Sequence, residues 1–171
     1  MIYVIGGFLI GLGLLKLSNS NEGTEGNPTP LGSGAQRREE ASSVSRKRVI
    51  DDLYKDLVSM LQSKKGQFIG LLRPLNNPYI LNNVTIIEDN ESYTINKRVI
   101  HLCTKSPRNG EYYDKNTLMF VVLHELSHVI CDDIGHTDKF LQINRAILNF
   151  AIKNGYYDPS KPFVENYCSL G

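Results

Sequence analysis

Tryptophan is absent, cysteine occurs three times and histidine four times in 171 residues. An excess of either charge is missing too: 19 Lys+Arg stand against 18 Asp+Glu. Without a basic field, nothing marks nucleic acid as the main partner. Cys103, Cys131 and Cys168 form no CxxC pair, which excludes a four-cysteine zinc knuckle. Their odd number and low density argue against a disulfide scaffold. The reading they favour is reduced, mostly buried thiols, with one disulfide plus a free thiol as the alternative. No internal repeat is visible.

Long apolar runs are also scarce, and the one that stands out opens the chain. MIYVIGGFLIGLGLL has no charged side chain before Lys16. About fifteen apolar residues fall short of the roughly twenty that a spanning helix uses. Lys16 can snorkel and Leu17 can add length. A secretory signal would carry a basic n-region and a small-residue cleavage site, and neither is present. Residues 1–17 are therefore expected to be an uncleaved membrane-anchor helix. Lys16, Arg37 and Arg38 all follow the apolar run, which predicts a single-pass anchor with the remaining chain on the cytosolic side. Two sequons, Asn83-Val84-Thr85 and Asn90-Glu91-Ser92, would carry glycans only on the other side.

Residues 18–38, rich in Ser, Asn, Gly and Pro, lack the apolar surface to offset their ordering entropy and are expected to be a flexible linker. Residues 39–171 then form the domain. Val49, Ile50, Leu53, Leu57, Met60 and Leu61 recur at helical spacing, with Gly66 as a stop. Residues 67–103 read as a turn, then short strands: an extended run in NNPYILNN, VTIIE, YTI and VIHLC. A helix follows from Asp114–Thr117 and is apolar on nearly every face, so it is buried. Another runs from about Thr137 to Lys153, and the tail after Gly155 looks irregular. The expected fold class is α+β: a small sheet of three or four strands packed with an amphipathic helix, the buried helix and its successor.

Three of the four histidines, His124, His128 and His136, lie in or just after the buried helix, in LHELSHVICDDIGH. Positions i and i+4 stack on one helix face about 6 Å apart, so His124 and His128 can grip one divalent ion. Glu125 sits on the adjoining strip, placed to touch a water at that ion. This is the HExxH spacing of zinc hydrolases. A chance match on an exposed helix would mean little. Burying two imidazoles and a carboxylate without partners, however, costs several kcal/mol, and a Zn2+ ion removes that cost. The third ligand is ranked His136 first, with Glu165 and the pair Asp132/Asp133 left open. On a continued helix His136 would stand about 12 Å further along, so the chain must fold back, and Gly135 supplies the turn. Asp138 reads as a first-turn helix carboxylate.

The stretch LHELSHVICDDIGHTDKF resembles the WLM and SprT-like metalloproteases, minimal zincins in which a G-H-x-x-x-F-like element supplies the third ligand. Gly135, His136 and Phe140 match that element, and the likeness runs over roughly Val99 to Ala151. The anchored small form, with NGYYDP and a near-terminal YC, is similar to zincin-like proteins of large DNA viruses. The resemblance implies a minimal zincin fold and a protein or peptide substrate. It also implies substrate pairing with an edge strand, here Val99 to Cys103.

The resulting expectation is a membrane-anchored zinc endopeptidase, with His124, His128 and His136 on the metal and Glu125 as general base. His101 reads as an ordinary strand histidine, with contact to substrate as the lesser alternative. Tyr156, Tyr157 and Tyr167 are candidate oxyanion helpers. The rival reading is a non-catalytic, membrane-tethered component of a virion or membrane assembly with a stabilising zinc site.

Overall fold

The computed structural model describes residues 2–5, 34–64 and 66–168, with side chains from Val49 onward except Lys65 and Leu81. The elements are strand β1 (Ile2–Ile5), helix α1 (Gly34–Ser63), a 3₁₀ turn (Gly70–Asn76), the short helix α2 (Pro78–Asn82), strands β2 (Val84–Asp89), β3 (Tyr93–Ile95) and β4 (Val99–Cys103), and helices α3 (Lys115–Ile130) and α4 (Asp138–Lys153). This is the α+β class expected.

The sheet is mixed, in the order β1-β2-β4-β3. β2 and β4 run parallel, while β1 and β3 pair antiparallel with β2 and β4 respectively. Alternation sends Val84, Ile86, Ile100 and Leu102 into the core. α3 packs between that face and the helices α1 and α4. Leu118, Met119, Val122, Leu123 and Leu126 are buried all round it, as an apolar helix without a polar face requires. α1 contributes Ile50, Leu53, Leu57, Met60 and Leu61, and α4 contributes Phe140, Ile143, Ile147 and Ala151. At about 1.5–3 kcal/mol per buried large aliphatic or aromatic side chain, this three-way packing around α3 is the main stabilising term.

Four expectations need correction. Ile2–Ile5, read as the start of an anchor helix over 1–17, form a strand paired through Ile2↔Ile87 to Ile5↔Val84. Among the described residues no helix is long and apolar enough to cross a membrane. The rest of the anchor and most of the 18–38 linker lie outside the described residues. α1 also begins earlier than Glu39, at Gly34, inside the expected linker. The run YIL in NNPYILNN is one helical turn rather than an extended segment. Pro78 opens that turn, the Asn77 side chain accepts from Tyr79 N at 3.0 Å, and Asn83 Nδ2 donates to Tyr79 O at 2.7 Å.

The fourth correction concerns the thiols. Cys103 and Cys168, 65 residues apart, form a disulfide with Cα atoms 6.3 Å apart, while Cys131 is free and buried. The tail that looked irregular is pinned to the end of β4. Tyr167 donates its hydroxyl to Cys103 O, Tyr113 and Tyr167 pack ring against ring, and Cys168 N donates to Tyr113 Oη at 2.9 Å. Cross-linking so long a loop is worth about 2–4 kcal/mol. Reduction with dithiothreitol is therefore expected to lower unfolding stability in urea by that amount, and an unchanged urea midpoint would contradict the pairing.

Candidate metal centre

The phase of α3 is set at its start. Asp114 caps it, with Oδ1 accepting from Asn116 N at 2.9 Å and Thr117 N at 3.1 Å. Satisfying these orphan donors starts the helix at Lys115, which places His124 and His128 one turn apart on the same side. α3 stops at Ile130, where Cys131 is extended. Lys97 Nζ donates to Cys131 O and so caps the end with a cation.

The chain then doubles back through Asp132–Gly135, with Gly135 at φ 80°, a backbone region that favours glycine. Asp132 pairs with Lys139. Thr137 starts α4, donating to Asp133 Oδ2 at 2.7 Å and accepting from Phe140 N at 3.3 Å. This reversal returns His136 to the first two histidines: His124 Nε2 and His136 Nε2 are 3.1 Å apart. Phe140, fully buried, lies beneath all three rings, with centroids 5.0, 4.0 and 4.8 Å from those of His124, His128 and His136.

One nitrogen from each of the three rings lies within 4.8 Å of the others. Tetrahedral zinc with bonds of about 2.0–2.1 Å needs nitrogens roughly 3.3 Å apart. The 3.1 Å pair already fits that spacing, and the widest separation in the trio stays within 4.8 Å. The electrostatics fit as well. Burial, and then the other two histidines, push the pKa of His124 down to about 4. Burial first, then His136 and Lys97, lower that of His128. Neutral imidazoles offer lone pairs, which is what a cation requires.

The same shift makes the metal-free chain sensitive to acid. The unfolded chain protonates residue 124 near the ordinary value of about 6.5, the folded chain only near 4. Between those values the unfolded state holds more protons at residue 124, so that group's contribution lowers stability as pH drops from about 6.5 towards 4. Urea unfolding in chelator at pH 7.5, 6 and 4.5 should show a falling midpoint, and a flat series would contradict the burial of His124.

The other candidates separate cleanly. Asp138 lies in the first turn of α4, as read from sequence. Asp133 lines the cavity, but its Oδ2 already accepts from Thr137; Asp132 holds Lys139, and Glu165 is exposed and does not line the cavity. His101 is an ordinary strand histidine: it stacks on Tyr93 at 4.3 Å and binds Asp89 Oδ2 through Nδ1 at 2.7 Å. None of the three tyrosines named as oxyanion helpers lines the cavity. Tyr156 meets Ser59, Tyr157 packs on Phe120, and Tyr167 is held by Cys103 O and Ser92 Oγ. The edge strand needs correction too. β4 is paired on both sides, with β2 and, over Val99–His101, with β3, so on the side of the histidines the edge strand is β3.

The histidines open onto a cavity of about 590 Å³. Glu125 lines it, 5% exposed, its pKa raised by burial against the opposing pull of a hydrogen bond from Thr94 and of His136. One wall is Tyr93, Thr94, Asn96 and Lys97; the other includes Asp133 and Ile134, the latter 93% exposed. Tyr93, Thr94, Lys97 and Ile134 carried no signal of a site in the sequence. For Thr94 the alternation in YTI gives its face but not its partner.

Over 169 residues, covering 98% of this chain and 98% of the relative, the sequence is 48% identical to the uncharacterized protein 042R of Invertebrate iridescent virus 3. It is 48% identical over 106 residues to protein 136R of Invertebrate iridescent virus 6, covering 61% of this chain and 60% of that one. Identity to protein R325 of Acanthamoeba polyphaga mimivirus is 34% over 87 residues, 46% of this chain and 42% of that one. No protein-family profile and no solved structure matches the chain.

Proposed function

For this chain, which belongs to the family of the iridescent-virus protein 042R, we propose the function of a zinc-dependent endopeptidase, a minimal zincin resembling the WLM and SprT-like enzymes. The observation that carries the reading is the convergence of three imidazole nitrogens within 4.8 Å, with the carboxylate of Glu125 in the same open cavity. Three protein ligands with an open side are the pattern of catalytic zinc, whereas structural sites are closed by four. A purely stabilising site, as in the assembly-component alternative, leaves the cavity and the buried Glu125 without a role.

His124, His128 and His136 would hold the ion. When bound, zinc supplies Lewis acidity and brings the ionisation of a water close to neutral pH. Glu125 takes the water's proton on its carboxylate and later returns it to the leaving amine. Burial raises its pKa, the direction that favours its carrying a proton. β3, with its free edge beside the cavity, is where an extended peptide adds as a further strand. This replaces the earlier choice of Val99 to Cys103.

Metal analysis of the full chain, paired with cleavage of a mixed peptide library, tests the reading. The expected result is one zinc per chain and cleavage that a chelator abolishes and added zinc restores. Zinc-loaded protein that cleaves nothing would overturn it.

A further inference from the structure

We propose that Thr94 is the positioning residue for Glu125, so that the edge strand itself fixes the working orientation of the base. The inference rests on the hydrolase reading above. A carboxyl group as buried as that of Glu125 needs a hydrogen-bond partner, because a buried polar group without one is costly. Among the described residues that donor is Thr94, whose Oγ1 lies 2.8 Å from Glu125 Oε2 and 3.1 Å from Glu125 O. A hydroxyl carries one hydrogen, and the shorter of the two contacts, to Oε2, takes it.

The strand makes the donor rigid. In β3, Tyr93 and Ile95 are exposed while Thr94 turns inward against α3. Threonine, branched at Cβ, has few χ1 choices on a strand. Backbone pairing of Thr94 with Ile100 of β4 locks its position relative to the sheet. With Oε2 held from the strand side, Oε1 has no protein partner among the described residues. It is the oxygen left to meet a water in the cavity. The strand that would receive the peptide and the residue that would move the proton are thus joined by one hydrogen bond. A peptide seated on β3 is set in register with the base through Thr94.

Two substitutions separate positioning from packing. Thr94→Val keeps the shape and removes the donor; Thr94→Ser keeps the donor and removes a methyl group. Positioning predicts that Thr94→Val lowers kcat roughly 10–100-fold, the scale of a small misplacement of a reacting group. KM should stay within about twofold, since an interaction used only in the transition state is lost. Zinc content should be unchanged, and Thr94→Ser should recover most of the rate. Packing predicts the reverse ranking.

A second readout needs neither metal nor turnover. In the metal-free full chain labelled with 13C-glutamate, the Glu125 side-chain carboxyl resonance is identified by its loss in Glu125→Gln. It should move in Thr94→Val and stay near the parent position in Thr94→Ser. An active parent whose Thr94→Val variant keeps its kcat, or a carboxyl resonance that ignores that substitution, overturns the role of Thr94 alone. Zinc-loaded parent protein that cleaves nothing overturns the hydrolase reading, and this role with it.

Discussion

Glu125→Gln is expected to retain one zinc per chain and to lose cleavage by about 10²–10⁴-fold in kcat, the range a general base contributes. The substitution is close to isosteric, and its amide oxygen can still accept from Thr94 Oγ1, now 2.8 Å from Oε2. Folding should therefore be spared. Because burial raises the Glu125 pKa, an uncharged side chain there is no harder to bury than the native one, and thermal stability should be equal or higher. Zinc content by atomic absorption, unfolding temperature and kcat on one peptide together make the measurement. A variant that folds, holds zinc and cleaves like the parent would remove Glu125 from the role of base.

His136→Ala should have an equally large effect on a different quantity. Removing a ring that stands 3.1 Å from its partner nitrogen takes away a ligand itself. The loss of zinc affinity should exceed the roughly 10–100-fold that follows loss of an outer hydrogen-bond partner of a ligand. Glu165→Ala and Asp133→Asn should leave affinity near that of the parent. The former side chain does not line the cavity and the latter is engaged by Thr137. Competition against a zinc-binding dye reads all three. An Asp133→Asn chain that lost zinc as His136→Ala does would transfer the third ligand to Asp133.

The histidine cluster could be read from the sequence because helical spacing is local and rigid. Four residues fix which side chains share a face, and the apolar helix around them leaves both imidazoles half-buried. The fold-back of His136 was legible for the same reason: Gly135 and two acidic residues make continuation of α3 unfavourable. Thr94 was not legible. A three-residue strand carries one alternation and no register, and its partner lies 31 residues away. Cys103 and Cys168 paired across 65 residues because Tyr167 of the tail docks on the end of β4 and on Tyr113, a contact that no spacing announces. Ile2–Ile5 was misassigned because a short apolar run reads equally as helix or strand until its partner is known. Here the partner is β2.

Phe140 has a consequence for traffic to the ion. Its ring, wholly shielded from solvent, stacks on His128 and meets His124 and His136 edge-on, so it backs the three imidazoles on the core side. Approach to the ring nitrogens is through the cavity that Lys97 and Ile134 help to line. A chelator and a peptide seated on β3 must therefore approach the imidazoles from the same side, and saturating peptide is expected to slow removal of the metal.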